Sequence, residues 1–137
     1  MAAVQQPSRQ DVDILEAVHD VVAKYPPLTA DRHHLRVSVQ SGVVVLEGHV
    51  KTPITRLYVV ERVAALAGVR GLSADGLFDD ETIRLEVGQR LPEGVLANPA
   101  YGVVVLSGKV PEGMTDIDVA QLAGAVPGVT KVVTHFV

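Results

Sequence analysis

Between residues 11 and 24 the apolar positions Ile14, Leu15, Val18, Val21 and Val22 recur at helical spacing, and Pro26 and Pro27 end the pattern. The spacing predicts a helix capped by Asp11, with Asp13 also near the positive end of its dipole. The period then changes. Leu35, Val37 and Val39 alternate with Arg36, Ser38 and Gln40, the signature of a strand buried on one face. Ser41-Gly42 reads as a tight turn into a second strand over 43–50, so the two strands form a hairpin. Pro53 opens a second helix that reaches about residue 67, with Ile54, Leu57, Tyr58, Val60, Ala64 and Ala65 on its apolar side. Gly68 closes that helix at a C′ position, and a last strand covers 69–77.

The pattern then starts again. Ile83, Val87 and Leu91 are four apart and predict a helix over 80–91 that opens on acidic residues. The next strand must fall within 92–101, where Asn98-Pro99 interrupts it, because proline is tolerated only at an edge or a bulge. A strand over 103–110, a helix over 115–126 and a strand over 129–137 complete the series. The nine residues from Gly42, GVVVLEGHV, return from Gly102 as GVVVLSGKV, with seven of the nine identical at an offset of 60. The same offset carries Ala65, Gly68 and Val69 onto Ala125, Gly128 and Val129, and Leu72 onto Val132. A shared register outweighs the strand preference of Val59, Val60 and Val63 and keeps their segment helical. The expected fold class is α+β: two α-β-β-α-β units, each a three-stranded mixed sheet packed by two helices. The expected domains are a flexible tail over 1–10, a first unit over 11–76 and a second, shortened unit over 77–137, joined near residues 76–80.

Composition narrows the function classes. Twelve Lys and Arg against sixteen Asp and Glu give a net charge of -4, so no general field attracts nucleic acid. Aromatic residues make up 4% of the chain and Trp is absent, which leaves little stacking surface for single strands. There is no cysteine, hence no thiol nucleophile and no thiolate metal site. The opening residues lack the apolar core of a secretory signal and no stretch suits a transmembrane helix, so a cytoplasmic chain is expected.

Catalytic chemistry finds no support. His33 and His34 are adjacent and, in an extended segment, point to opposite faces, while His19, His49 and His135 fall on other elements. Neither a zinc-protease nor a phosphate-loop nor a nucleophile-elbow pattern occurs. Asp79, Asp80 and Glu81 lack the alternating ligands of a calcium loop and suit a helix start equally well. No enzyme, no cofactor and no metal site are therefore expected.

The doubled hairpin pattern resembles the BON domain, a small α/β module. The resemblance rests on Gly42, Val43, Val44, Leu46, Gly48 and Val50 with Gly68, Val69 and Leu72, and again on Gly102, Val103, Val104, Leu106, Gly108 and Val110 with Gly128, Val129 and Val132. It implies a noncatalytic binding or adaptor module with a protein partner or self-association, an anionic phospholipid surface or a cytoplasmic cation response as alternatives, and stress response among the family's settings. No catalytic residue carries over. Charge places the anion-contact candidates in the first unit, at Arg32, Arg36, Lys51, Arg56 and Arg62. The interrupted strand and the apolar C-terminal strand suggest an irregular sheet edge in the second unit, open to strand addition by a partner or another copy.

Overall fold

A computed structural model of the chain describes residues 8–137. Helices α1 (Arg9–Lys24) and α2 (Pro26–Asp31) and a 3-10 turn (Arg32–His34) lead into strands β1 (Leu35–Gln40) and β2 (Val43–Val50), helix α3 (Pro53–Ala64) and strand β3 (Gly71–Asp79). Then come α4 (Asp80–Arg90), β4 (Val95–Ala100), β5 (Val103–Gly108), α5 (Asp116–Gly124) and β6 (Lys131–Phe136). Two three-stranded sheets result, in the orders β1-β2-β3 and β4-β5-β6. The first unit takes the chain through Gly48 together with Ile54–Leu77, and the second takes His49–Pro53 together with Phe78–Val137.

Each hairpin is antiparallel, pairing Val37 with Leu46 and Ala97 with Leu106, and β5 continues in parallel with β6 after the α5 crossover. The alternation read from sequence is therefore the sheet register. In the first unit Val44 and Leu46 are buried, as are Ile14 and Val18 of α1 and Val59 and Val63 of α3. Val59 and Val63 are four apart on one helix face, so burial decides for helix against their β-branched preference. The second core repeats the scheme with Ile83, Val87, Val104, Leu106, Val119 and Ala123. Val110 and Val129 of the repeated motif pack against that same core.

Three local expectations are corrected. Helix α1 begins at Arg9, so Arg9 and Gln10 are helical rather than part of a tail; residues 1–7 lie outside the described residues. The N-cap is Ser8, whose hydroxyl accepts from the Asp11 N–H at 3.0 Å. Asp11 lies inside the first turn, with its carboxylate turned inward. The units divide between Leu77 and Phe78, within the join read at 76–80, where β3 runs to Asp79 and Asp79 caps α4 by accepting from the Thr82 N–H at 2.7 Å. Asn98-Pro99 does not interrupt β4, whose six residues pair throughout with β5, Pro99 opposite Val104. Strand β4 is at the sheet edge, where a missing N–H that points outward costs no ladder bond. Lastly, residues 26–34 form a short helix and a 3-10 turn that periodicity could not show.

Asp11 and Asp80 do the same work in the two units. Asp11 accepts from the Ser41 and Gly42 N–H groups, both at 2.9 Å, and Asp80 accepts from Tyr101 at 2.6 Å and Gly102 at 3.0 Å. Both turns place two consecutive residues at positive φ, Ser41 and Gly42 at 51° and 79°, Tyr101 and Gly102 at 50° and 83°. That is the two-residue hairpin geometry whose twist matches the strands, and the carboxylate satisfies the two N–H groups it leaves pointing inward. Asp11 and Gly42 are 31 residues apart and Asp80 and Gly102 are 22 apart. The difference is nine residues: three from the longer α1 and six from the connection to the hairpin, residues 25–34 against 91–94, which in the first unit holds α2 and the 3-10 turn.

The Gly42 N–H bond is the main cause that holds the Asp11 carboxyl below its ordinary pKa, against an opposing cost of burial, with the bonds from Ser41 and Ser8 adding to it. A depressed folded-state pKa stabilises above the unfolded value, about 3.9, and the contribution is lost as pH falls through the folded value. Asp11→Asn should therefore lower the urea midpoint at pH 7, and its deficit against the parent should shrink below about pH 3.5. A deficit that stays constant down to pH 2 would show that the charge of Asp11 contributes nothing.

Candidate functional site

Helix α1, helix α2, the 3-10 turn and strand β1 enclose a half-open pocket of about 520 Å³ in the first unit. Its apolar wall comes from Val22 on α1 and from Leu35 and Val37 on the inward face of β1. Its rim carries His19, Arg32 and His33. The corner is built locally. The prolines stop α1, and Pro26 restarts the chain as α2 with proline in its first turn, where no N–H is needed. The Thr29 hydroxyl donates back to the Val22 carbonyl at 2.7 Å, tying α2 to the end of α1. Arg32 then donates from Nη1 to the Thr29 carbonyl at 2.6 Å, which fixes one edge of its guanidinium at the pocket mouth.

Of the five cationic candidates read from the sequence, Arg32 alone lines this pocket. Arg36, on β1, faces Glu47 across the hairpin at 3.4 Å in an exposed ion pair, a contact worth about 0–1 kcal/mol. Lys51 belongs to the second unit, with its ammonium 5.9 Å from the Tyr101 ring centroid. There it borders a depression of about 300 Å³ together with Asp80, Glu81 and Arg84. Arg56 is structural: it donates to the Leu77 carbonyl at 2.8 Å and the Ala74 carbonyl at 2.9 Å, fastening α3 to β3. Arg62 lies 5.1 Å from the Tyr58 ring, which stacks on Tyr25 at 3.8 Å.

His19 and His33, which complete the rim, were missed as partners of Arg32. Residues 33–34 are not extended: the 3-10 turn brings His33 to the pocket. The available signal was the longer spacing between helix and hairpin in the first repeat. His49 makes a 2.6 Å bond to the Gly128 carbonyl and lies 5.9 Å from the Phe78 ring, all within the second unit. Among the described residues, no three His, Asp or Glu side chains gather as metal ligands, and no helix is long and apolar enough to cross a membrane.

A second feature recurs in both units. On α3, Ile54 and Leu57 are 73% and 56% exposed, and on α5 Ile117 is 68% exposed. Leu57 and Ile117 are equivalent at the repeat offset of 60.

Two three-stranded sheets, each packed by helices and carrying a glycine-flanked hairpin, define a tandem of small α+β modules. The BON domain pattern matches residues 10–75 and again 79–137, so the chain belongs to the BON domain family and carries the domain twice. Comparison with curated proteins returns no match. Among solved structures, the chain is similar to the C-terminal domain of CdsD, the structural protein of the type III secretion system of Chlamydia trachomatis. That match has 23% identity and a TM-score of 0.66, and it covers 98% of this chain and 66% of that one, which establishes a likeness of fold. This chain therefore spans just under two thirds of the CdsD chain's length. A further CdsD structure aligns over 90% of this chain and 91% of that chain at 13% identity and a TM-score of 0.39, too distant to support an inference.

Proposed function

We propose that the chain is a noncatalytic adaptor that docks protein, including further copies of itself, through its crossover helices α3 and α5. The observation that carries this reading is the exposed apolar position kept in both repeats, Leu57 and Ile117. A single exposed leucine is ordinary. Here the neighbouring positions have diverged in chemistry, Arg56 to Asp116, Tyr58 to Asp118 and Glu61 to Gln121, while this one stays aliphatic in water. The same fold in a structural protein of a secretion apparatus agrees with a role in assembly. Contact with an anionic phospholipid surface is the second reading, and Arg32, at the pocket mouth, favours it. Arg36 and Arg62, in the same unit, are the further proposed contacts, whereas Arg56 is engaged in fastening α3 to β3 and Lys51 lies in the second unit.

The double variant Leu57→Asp, Ile117→Asp tests the docking reading, since both side chains are exposed and their loss should leave the cores intact. The parent chain should show a concentration-dependent rise in mass by light scattering, or a discrete cross-linked partner. The variant should weaken either by about tenfold or more, because desolvating a carboxylate at an apolar contact is costly. A parent that stays monomeric and captures nothing, or an association that the variant leaves unchanged, refutes it.

A further inference from the structure

We propose that the pocket of the first unit binds a single-chain aliphatic carboxylate. Its walls divide by chemistry. Val22, Leu35 and Val37 present half-buried apolar surface that a hydrocarbon chain would remove from water, and Arg32, His19 and His33 stand at the mouth. No carboxylate is among the described residues that line it, so the rim offers donors without a built-in anion to occupy them. A guanidinium presents five N–H groups in a planar fork that matches a carboxylate, and the Thr29 carbonyl takes up only part of that supply. Each imidazole adds an N–H in either tautomer. The volume, about 520 Å³, falls inside the range of small-molecule sites, about 300–1,000 Å³.

The repeat supplies an independent argument. The second unit closes the same sheet, with the same carboxylate-held turn, without the residues of α2 and the 3-10 turn. Those residues are therefore not required by the fold, although Leu28 within them is fully buried and anchors α2. They supply Arg32 and His33, which makes the pocket a property of the first unit. This site is separate from Leu57 and Ile117, so its failure and that of the docking reading are distinguishable.

Amide chemical-shift titration of the full chain with octanoate, butyrate, octylammonium and inorganic phosphate at matched ionic strength tests the proposal. Octanoate should shift the amides of residues 19–37 saturably and leave the second unit unchanged. Butyrate, four methylenes shorter, should bind at least about tenfold more weakly. Octylammonium and phosphate should not saturate those amides. Arg32→Gln should weaken octanoate about tenfold, with His33→Gln as a second variant should Arg32→Gln disturb the fold, while Arg36→Gln, outside the pocket, should not. Octylammonium binding as tightly as octanoate, phosphate saturating the same amides, or octanoate producing no saturable shift would each overturn it. Sedimentation with vesicles of phosphatidylcholine and phosphatidylglycerol separates a free ligand from a headgroup: vesicle binding without octanoate binding also overturns the pocket and leaves a surface contact in its place.

Discussion

Gly108→Ala is expected to destabilise the second unit severely. Gly108 sits at φ +99°, where an L side chain is strained, and a Cβ there would be driven onto the carbonyl oxygen of Gly94. That carbonyl cannot simply retreat, because it accepts from the Lys109 N–H at 3.1 Å, immediately after the strand. Backbone strain alone costs about 1–3 kcal/mol, and displacing the start of β4 adds to it. A unit of this size holds only about 3–9 kcal/mol of stability, so most of it would be lost. The repeat contains its own replicate: Gly48, at φ +111°, meets the His34 carbonyl oxygen in the same way. Gly88, on α4 with open space around a Cβ, is the control, and Gly88→Ala should be neutral or stabilising. Urea melts followed by circular dichroism, with amide spectra to show which unit collapses, decide the matter. A Gly108→Ala protein within about 1 kcal/mol of the parent would show that the close approach relaxes at little cost.

Asp80→Ala should destabilise the chain by about 3 kcal/mol. Asp80 is 7% exposed and its two oxygens each take one turn N–H, so alanine leaves two inward N–H groups without their charged acceptor. Tyr101, at φ 50°, depends on that bond, since a non-glycine residue there needs support. Asp80→Asn keeps the shape with a single acceptor oxygen and should lose about half as much. Equal urea midpoints for the parent and both variants would mean that the turn stands without its clamp.

Much of this architecture was legible before any coordinates. An offset of 60 shared by Gly42 and Gly102, Gly48 and Gly108, and Gly68 and Gly128 established the duplication. Alternation through Leu35, Val37 and Val39 set the strand faces that the register confirms. Such patterns are local: a period of two or of 3.6 is written in neighbouring residues, and a repeat multiplies the signal. The BON likeness followed from the same residues and is shown by the family match.

What escaped the sequence depended on partners far along the chain. Asp11 looked like a cap because a helix-start aspartate caps many helices; that it instead clamps Gly42, 31 residues on, is settled only by where the hairpin packs. Pro99 looked disruptive until the strand order put β4 at an edge. Residues 26–31 are too few for a hydrophobic period to appear, so α2 is held by its Leu28 anchor and the Thr29 bond rather than announced by pattern. The meeting of His19 with Arg32 and His33 has the same origin. Sequence determined the periodic elements and their duplication because these arise from short-range backbone geometry, whereas tertiary structure decided the clamps, the edge and the pocket because burial and hydrogen-bond satisfaction are properties of the assembled fold.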